Sequence, residues 1–178
     1  MPKIIAFTGS NSETSINDQL LKYALKFIKK SEVQYIDLKP LSVPIYSEKI
    51  EKESGVPHDI QELVSQIKSA DALIVAVNEH NGTMSAFFKN ITDWLSRSDA
   101  QYLLDKPIFL LATSPGAGGA RFCLDYTTTN FQKFGGKIVD KFSLPLFGEN
   151  FKNAKLSHDY STNLESLITN FENEIKQA

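Results

Sequence analysis

The chain has 178 residues, 42% of them hydrophobic and 22% charged, which is enough apolar material for one packed core. Its formal net charge of −2 supplies no basic field for a nucleic-acid backbone, and its single cysteine, Cys123, excludes an internal disulfide or a cysteine metal cluster and fits a reducing compartment. No basic stretch followed by a long apolar core opens the chain, and no membrane span is recognisable, so the expectation is one domain over residues 1–178 in the cytoplasm, with neither membrane nor nucleic acid as partner.

The opening, Lys3-Ile4-Ile5-Ala6-Phe7-Thr8, is a short apolar run bounded by Gly9, and Ile16, Leu20, Leu21, Ala24, Leu25 and Ile28 then recur at the steps of one helix face. Between them Ser10, Ser12, Thr14 and Ser15 cluster where a strand turns into a helix. Such a turn aims backbone N–H groups and the positive end of the helix at one point, so the loop is expected to hold a phosphate without a cation. A second strand is expected over 33–38, left by a chain carrying Pro40 and Pro44. Residues 40–57 show neither helical nor alternating pattern and are expected to form an exposed excursion, the usual place for a lid or binding element.

Ile60, Leu63, Val64 and Ile67 mark the next helix, and Ala72–Val77 is a continuous apolar run suited to a strand buried on both faces. That run stops at Asn78-Glu79-His80-Asn81-Gly82-Thr83, after which Met84, Phe87, Phe88, Ile91, Trp94 and Leu95 mark a helix. The pattern returns a third time: Lys106–Thr113, then Ser114-Pro115-Gly116-Ala117-Gly118-Gly119-Ala120, then a helix to about Phe134. Glycine-rich backbone there can approach a flat ligand closely. A weaker run from Gly136 to Leu146 supplies a fifth strand, and Leu164, Leu167, Ile168, Phe171 and Ile175 form a closing amphipathic helix.

Strands alternating with helices imply an α/β, three-layer sandwich on a parallel sheet with right-handed crossovers. Of the two doubly wound layouts, half of a dinucleotide-binding fold needs Gly-x-Gly-x-x-Gly after the first strand, where Gly9 stands alone. The expectation is therefore the flavodoxin-like order 2-1-3-4-5, in which the loops after strands 1, 3 and 4 meet at one crevice.

Three segments resemble the NADPH-dependent FMN reductase family, which includes quinone, azo-dye and chromate reductases. Gly9-Ser10 with Ser15-x-Asn17 is similar to its Gly-Ser-x-Arg-x-x-Ser-x-Asn phosphate loop. Glu79-x-Asn81, with Lys89-Asn90 and Asp93-Trp94 on the next helix, is similar to its Pro-Glu-Tyr-Asn loop and Lys-Asn-x-x-Asp-Trp helix. Ser114-Pro115-Gly116 with Gly118-Gly119 is similar to its Ser-Pro-Gly loop. This chain has Ser12 where the pattern has arginine, Asn78 and His80 where it has proline and tyrosine, and a glycine loop one residue shorter.

The resemblance implies FMN as cofactor, NADPH or NADH as reductant, a quinone, azo compound, metal oxyanion or free flavin as acceptor, and a homodimer or homotetramer. It implies cofactor binding by Ser10, Ser12, Ser15, Ile16 and Asn17, by Asn78, Glu79, His80 and Asn81, and by Ser114, Pro115, Gly116, Gly118 and Gly119. No acid–base residue is required, since the flavin carries the redox step. A flavin-carrying electron-transfer protein without nicotinamide turnover is the alternative. A receiver-type signalling domain would need acidic residues where strand 1 ends in Thr8-Gly9-Ser10 and an Asp where strand 3 ends in Val77-Asn78.

Other residues take plainer readings. Trp94, Phe87 and Phe88 belong to a packing or subunit face, and Lys89, Asp93 and Arg97 at four-residue steps pair along the helix surface. Cys123 is a small core residue. His58, His80 and His158 are scattered through the expected fold, and no metal site is assigned.

Overall fold

The computed structural model describes residues 1–175. Strand β1 (Lys3–Thr8) leads to helix α1 (Ile16–Ala24), which tightens into one 3₁₀ turn at Leu25–Phe27 and leaves Ile28 extended, outside the helix. Then follow β2 (Glu32–Ile36), α2 (Glu48–Ser54), α3 (His58–Ser69) and β3 (Ala72–Val77). A small hairpin, β4 (Glu79–His80) and β5 (Thr83–Met84), precedes α4 (Ala86–Ser98), so Met84 is a hairpin residue and the helix starts after its Ser85 cap. The chain continues through β6 (Pro107–Thr113), α5 (Arg121–Lys133) and β7 (Lys137–Leu144). It closes with α6 (Phe147–Asn150), the hairpin β8 (Phe151–Lys152) and β9 (Lys155–Leu156), and α7 (His158–Ile175).

The main sheet is parallel with order β2-β1-β3-β6-β7, which is the expected 2-1-3-4-5 once the hairpin strands are set aside. Successive residues of each central strand enter opposite cores, because strand side chains alternate. Ile5, Phe7, Leu73, Val75, Leu110 and Ala112 pack with α3, α4 and α5, while Ile4, Ala6, Ile74, Phe109 and Leu111 pack with α1 and α7. The result is a three-layer sandwich of the flavodoxin type. Among the described residues no helix is long and apolar enough to cross a membrane.

Residues 40–57 depart from the expected excursion. They contain α2, bracketed by Ser47 and by Gly55 at φ 73, and a strap fastened to α4. Trp94 Nε1 donates to Pro44 O at 2.8 Å, the Asn90 amide bonds Tyr46 N–H and Pro44 O, and the Tyr46 ring meets Trp94 edge-on. Seven residues make only two turns, too few for a visible hydrophobic period. The charge pairing on α4 also differs from expectation. Lys89 pairs with Asp93, but Arg97 leaves the helix surface to contact both oxygens of Glu51 at 3.0 Å. Arg97, and after it the Tyr46 hydroxyl, hold Glu51 below the usual carboxylate range.

Tyr102 is 1% exposed and its hydroxyl has no partner among the described residues, and burial pushes its ionisation well above the ordinary tyrosine value. An unsatisfied buried polar group costs about 1–3 kcal/mol. Tyr102→Phe is therefore expected to raise stability by about 1 kcal/mol, read as a higher urea midpoint with an unchanged slope; a lower midpoint would mean that the hydroxyl is bonded after all.

Candidate functional site

The ends of β1, β3 and β6 meet at a cleft of about 240 Å³, beside the point where strand order reverses. Gly9 extends the β1–β3 ladder by one bond, its N–H donating to Ala76 O at 2.9 Å, and Ser85 Oγ donates to Gly9 O. Beyond it the hydroxyls fold the loop. Ser12 N–H donates to Ser10 Oγ, Thr14 N–H to Ser12 Oγ, and Asp18 N–H to Ser15 Oγ, which caps α1. The Ser10 and Ser15 hydroxyls keep their own hydrogens to donate, while those of Ser12 and Thr14 share one between them at 3.5 Å. The N–H groups of Ile16 and Asn17, in the first turn of α1, have no acceptor among the described residues, as a helix start dictates. Ser10, Ser12, Thr14, Ser15, Ile16 and Asn17 all line the cleft, and no lysine or arginine does. An anion seated here would meet N–H groups, hydroxyls and the helix dipole.

Asn17 has a second task. Its side chain is buried, with Oδ1 accepting from Thr113 N–H at 2.8 Å and Nδ2 donating to Thr113 O at 3.2 Å. Both polar ends are thereby committed to the end of β6.

From the second loop Asn78, Glu79 and His80 line the cleft. Asn78 Nδ2 lies 3.4 Å from His80 Nε2, and Asn78 Oδ1 is buried with no partner among the described residues. Glu79 turns away: its carboxylate accepts from Cys123 N–H at 2.9 Å. Helix α5 has Ala120 at φ 58 before it and no side-chain cap of its own, so Glu79 supplies one from 44 residues away. Asn81 and Gly82, at φ 53 and φ 80, form the two-residue turn of the β4–β5 hairpin. Asn81 is exposed there and does not line the cleft.

The third loop contributes Ser114 and Pro115, while Gly116, Gly118 and Gly119 lie outside the lining. Gly119 answers a packing need. It sits at φ 60, and a Cβ on it would come within 2.4 Å of Ser143 Oγ and 3.0 Å of Pro145 N. Thr113 lines the cleft without having been singled out by any motif; its only signal is that it ends an apolar run.

Cys123 lies against this loop system, fully buried, and burial pushes its thiol up to about 12. A thiol raised this far stays protonated across neutral pH and is a poor nucleophile. Cys123→Ala is expected to retain turnover, and the native protein to resist alkylation at pH 8; rapid labelling of the folded chain would contradict this.

A model of the family described as NADPH-dependent FMN reductase matches residues 2–148, most of the chain. The chain belongs to this family. It is accordingly an oxidoreductase that uses FMN, with NADPH or NADH as reductant. A quinone reductase of Escherichia coli K12 is 26% identical over 167 residues, 88% of each chain. An NADPH:quinone oxidoreductase of Arabidopsis thaliana is 32% identical over 67% of this chain and 61% of its own. In structure, FerB, a flavoenzyme NAD(P)H:(acceptor) oxidoreductase from Paracoccus denitrificans, superposes with a TM-score of 0.83 over 99% of this chain and 98% of that one, at 20% identity, a likeness of fold.

The cleft fits FMN on its own chemistry. A phosphate suits a cation-free cradle at the start of α1, and a polar ring edge suits the part of the cleft that Asn78, His80 and Ser114 line.

Proposed function

We propose that this chain is a single cytoplasmic domain that passes electrons from NADPH or NADH, by way of FMN held in the cleft, to a quinone. The observation that carries the acceptor is the likeness over 88% of the chain to a protein named quinone reductase. Bound FMN would supply the redox chemistry, taking hydride from the nicotinamide and yielding electrons to the acceptor. The residues of the chain position it. Ser10, Ser12, Thr14 and Ser15 and the free N–H groups of α1 hold the phosphate, Asn17 and Glu79 hold the loops in register, and Asn78, Ser114 and Pro115 border the rest of the cofactor.

On the other side of the first loop, Leu41, Val43, Ile45 and Phe87 wall an apolar hollow of about 330 Å³ that Asn11 borders. Ile45 is 84% exposed, an unusual position for a large apolar side chain unless another surface covers it. This face supports assembly as a homodimer or homotetramer, with the hollow open to a flat apolar acceptor. The test is nicotinamide oxidation by the FMN-loaded protein with a benzoquinone, an azo dye, chromate and free FMN in parallel. Fastest turnover with the quinone supports the reading, a higher rate with another acceptor reassigns the substrate, and flavin binding without nicotinamide turnover leaves an electron carrier.

The phosphate assignment makes its own prediction. Ser12 is exposed on the cleft rim, where an arginine could give a charge-assisted, bidentate contact that salt screens. Ser12→Arg is expected to tighten FMN roughly tenfold at low ionic strength, about 1.4 kcal/mol, with most of the gain lost at high salt. Riboflavin, which lacks the phosphate, should not respond; an equal gain for riboflavin would place Ser12 elsewhere.

A further inference from the structure

Residues 41–46 belong to no helix or strand, and side chains of α3 and α4 hold their backbone in place. Asp59 accepts from Ser42 N–H at 2.7 Å, Asn90 Oδ1 accepts from Tyr46 N–H at 2.8 Å, and Asn90 Nδ2 and Trp94 Nε1 both donate to Pro44 O, at 3.0 and 2.8 Å. The Asn90 amide therefore engages the two backbone groups on either side of Ile45, as a peptide of a neighbouring strand would. A wall held in this way can shift without disturbing the sheet.

The wall matters because of what it encloses. Leu41, Val43 and Ile45, at every second residue of the strap, face the apolar hollow together with Phe87. Its volume of about 330 Å³ is in the range of small-molecule sites, which are mostly apolar with a few placed polar groups. The hollow also lies next to the cofactor cleft: Asn11 borders the hollow, while Ser10 and Ser12 on either side of it line the cleft. One loop is thus the shared wall of both.

We infer that Asn90 is a positioning residue for the electron acceptor: by fixing the backbone on both sides of Ile45 it sets the width of the hollow, and with it the quinones that are accepted. This rests on the hollow being the acceptor site proposed above. The oxygen and the nitrogen of the Asn90 amide are both engaged by the strap, so the effect on the acceptor passes through the wall. Asn90 does not line the cofactor cleft, and its replacement should leave the flavin and nicotinamide steps alone.

The experiment is steady-state kinetics of the FMN-loaded protein with two acceptors, a naphthoquinone, which is flat and apolar, and ferricyanide, a hydrated anion with no use for an apolar wall. Asn90→Ala is expected to raise KM for the naphthoquinone about five- to tenfold, the worth of one hydrogen bond, while the FMN dissociation constant, the nicotinamide KM and the ferricyanide KM stay within about twofold. Should Asn90→Ala fold poorly, Trp94→Phe carries the same expectation, since it removes the other bond to Pro44 O and keeps a ring against Tyr46. Val43→Phe, which narrows the hollow without touching these bonds, tests the site itself and should also raise the naphthoquinone KM. An unchanged KM in Val43→Phe would show that the hollow is not the acceptor site, and the inference would fall with that part of the functional reading. A raised KM in Val43→Phe but not in Asn90→Ala would overturn the inference alone, as would an equal rise for both acceptors in Asn90→Ala.

Discussion

Asn17→Ala is expected to lower stability by about 2–4 kcal/mol, because it leaves two buried backbone groups of Thr113 without partners at about 1–3 kcal/mol each. The geometry explains the size of the effect. Strand β3 ends at Val77, opposite Ala112, so nothing in the sheet faces Thr113 on that side. The Asn17 amide takes the place of the missing peptide, offering a C=O and an N–H to Thr113 N–H and O. It also ties the first turn of α1 to the end of β6, and so joins the first and third loops of the cleft. A residue that touches only ligand would lose affinity at unchanged stability. The bridge predicts the reverse order: a large drop in the urea midpoint of the flavin-free protein, with FMN affinity falling as the loops separate. An unchanged midpoint in Asn17→Ala would rule the bridge out.

The parts of this fold that were readable in the sequence are those written locally. Ala72–Val77 and Lys106–Thr113 are uninterrupted apolar runs because both faces of those strands are covered, and such runs announce a parallel sheet without any knowledge of partners. The three polar loops could be placed together because doubly wound topology brings the carboxyl ends of neighbouring strands to one crevice. What the sequence hid was which way a side chain turns once it is there. Glu79 and Asn17 carry the motif chemistry of ligand-binding positions, yet their polar atoms close on Cys123 and Thr113, 44 and 96 residues away. Contacts of that range leave no periodic trace.

Asn81 is the opposite case. Asn81-Gly82 is a strong local turn signal, and a hairpin with two-residue strands is its natural consequence. The helix α2 was marked only by Ser47 before it and Gly55 after it, caps that a two-turn helix with no apolar period does not reinforce. Arg97 was expected to continue a ladder on its own helix. It finds Glu51 of α2 instead, 46 residues away, a fact of tertiary packing alone.

Gly9→Ala is expected to cost about 3 kcal/mol, at the upper end of what overpacking a core usually costs. A Cβ at this position would lie 2.5 Å from Phe88 Cγ, 2.6 Å from Cδ1 and 3.0 Å from Cβ. Neither partner can retreat easily. The Gly9 backbone is held from both sides, by Ala76 O and by Ser85 Oγ, and the Phe88 ring is 1% exposed between Phe7 and Phe131. Gly9 thus does more than end a strand: its missing side chain lets Phe88 of α4 press against the end of β1, which fixes where Ser10 and the first loop of the cleft begin. The conformation itself makes no demand for glycine, since Gly9 is not among the residues at positive φ. The penalty is steric and should be relieved by shrinking the neighbour. In a double-mutant cycle, Phe88→Leu in the Gly9→Ala background should recover part of the loss, although Phe88→Leu alone destabilises, giving a coupling of about 1–2 kcal/mol. Strictly additive losses would show that Gly9 is required for some reason other than contact with Phe88.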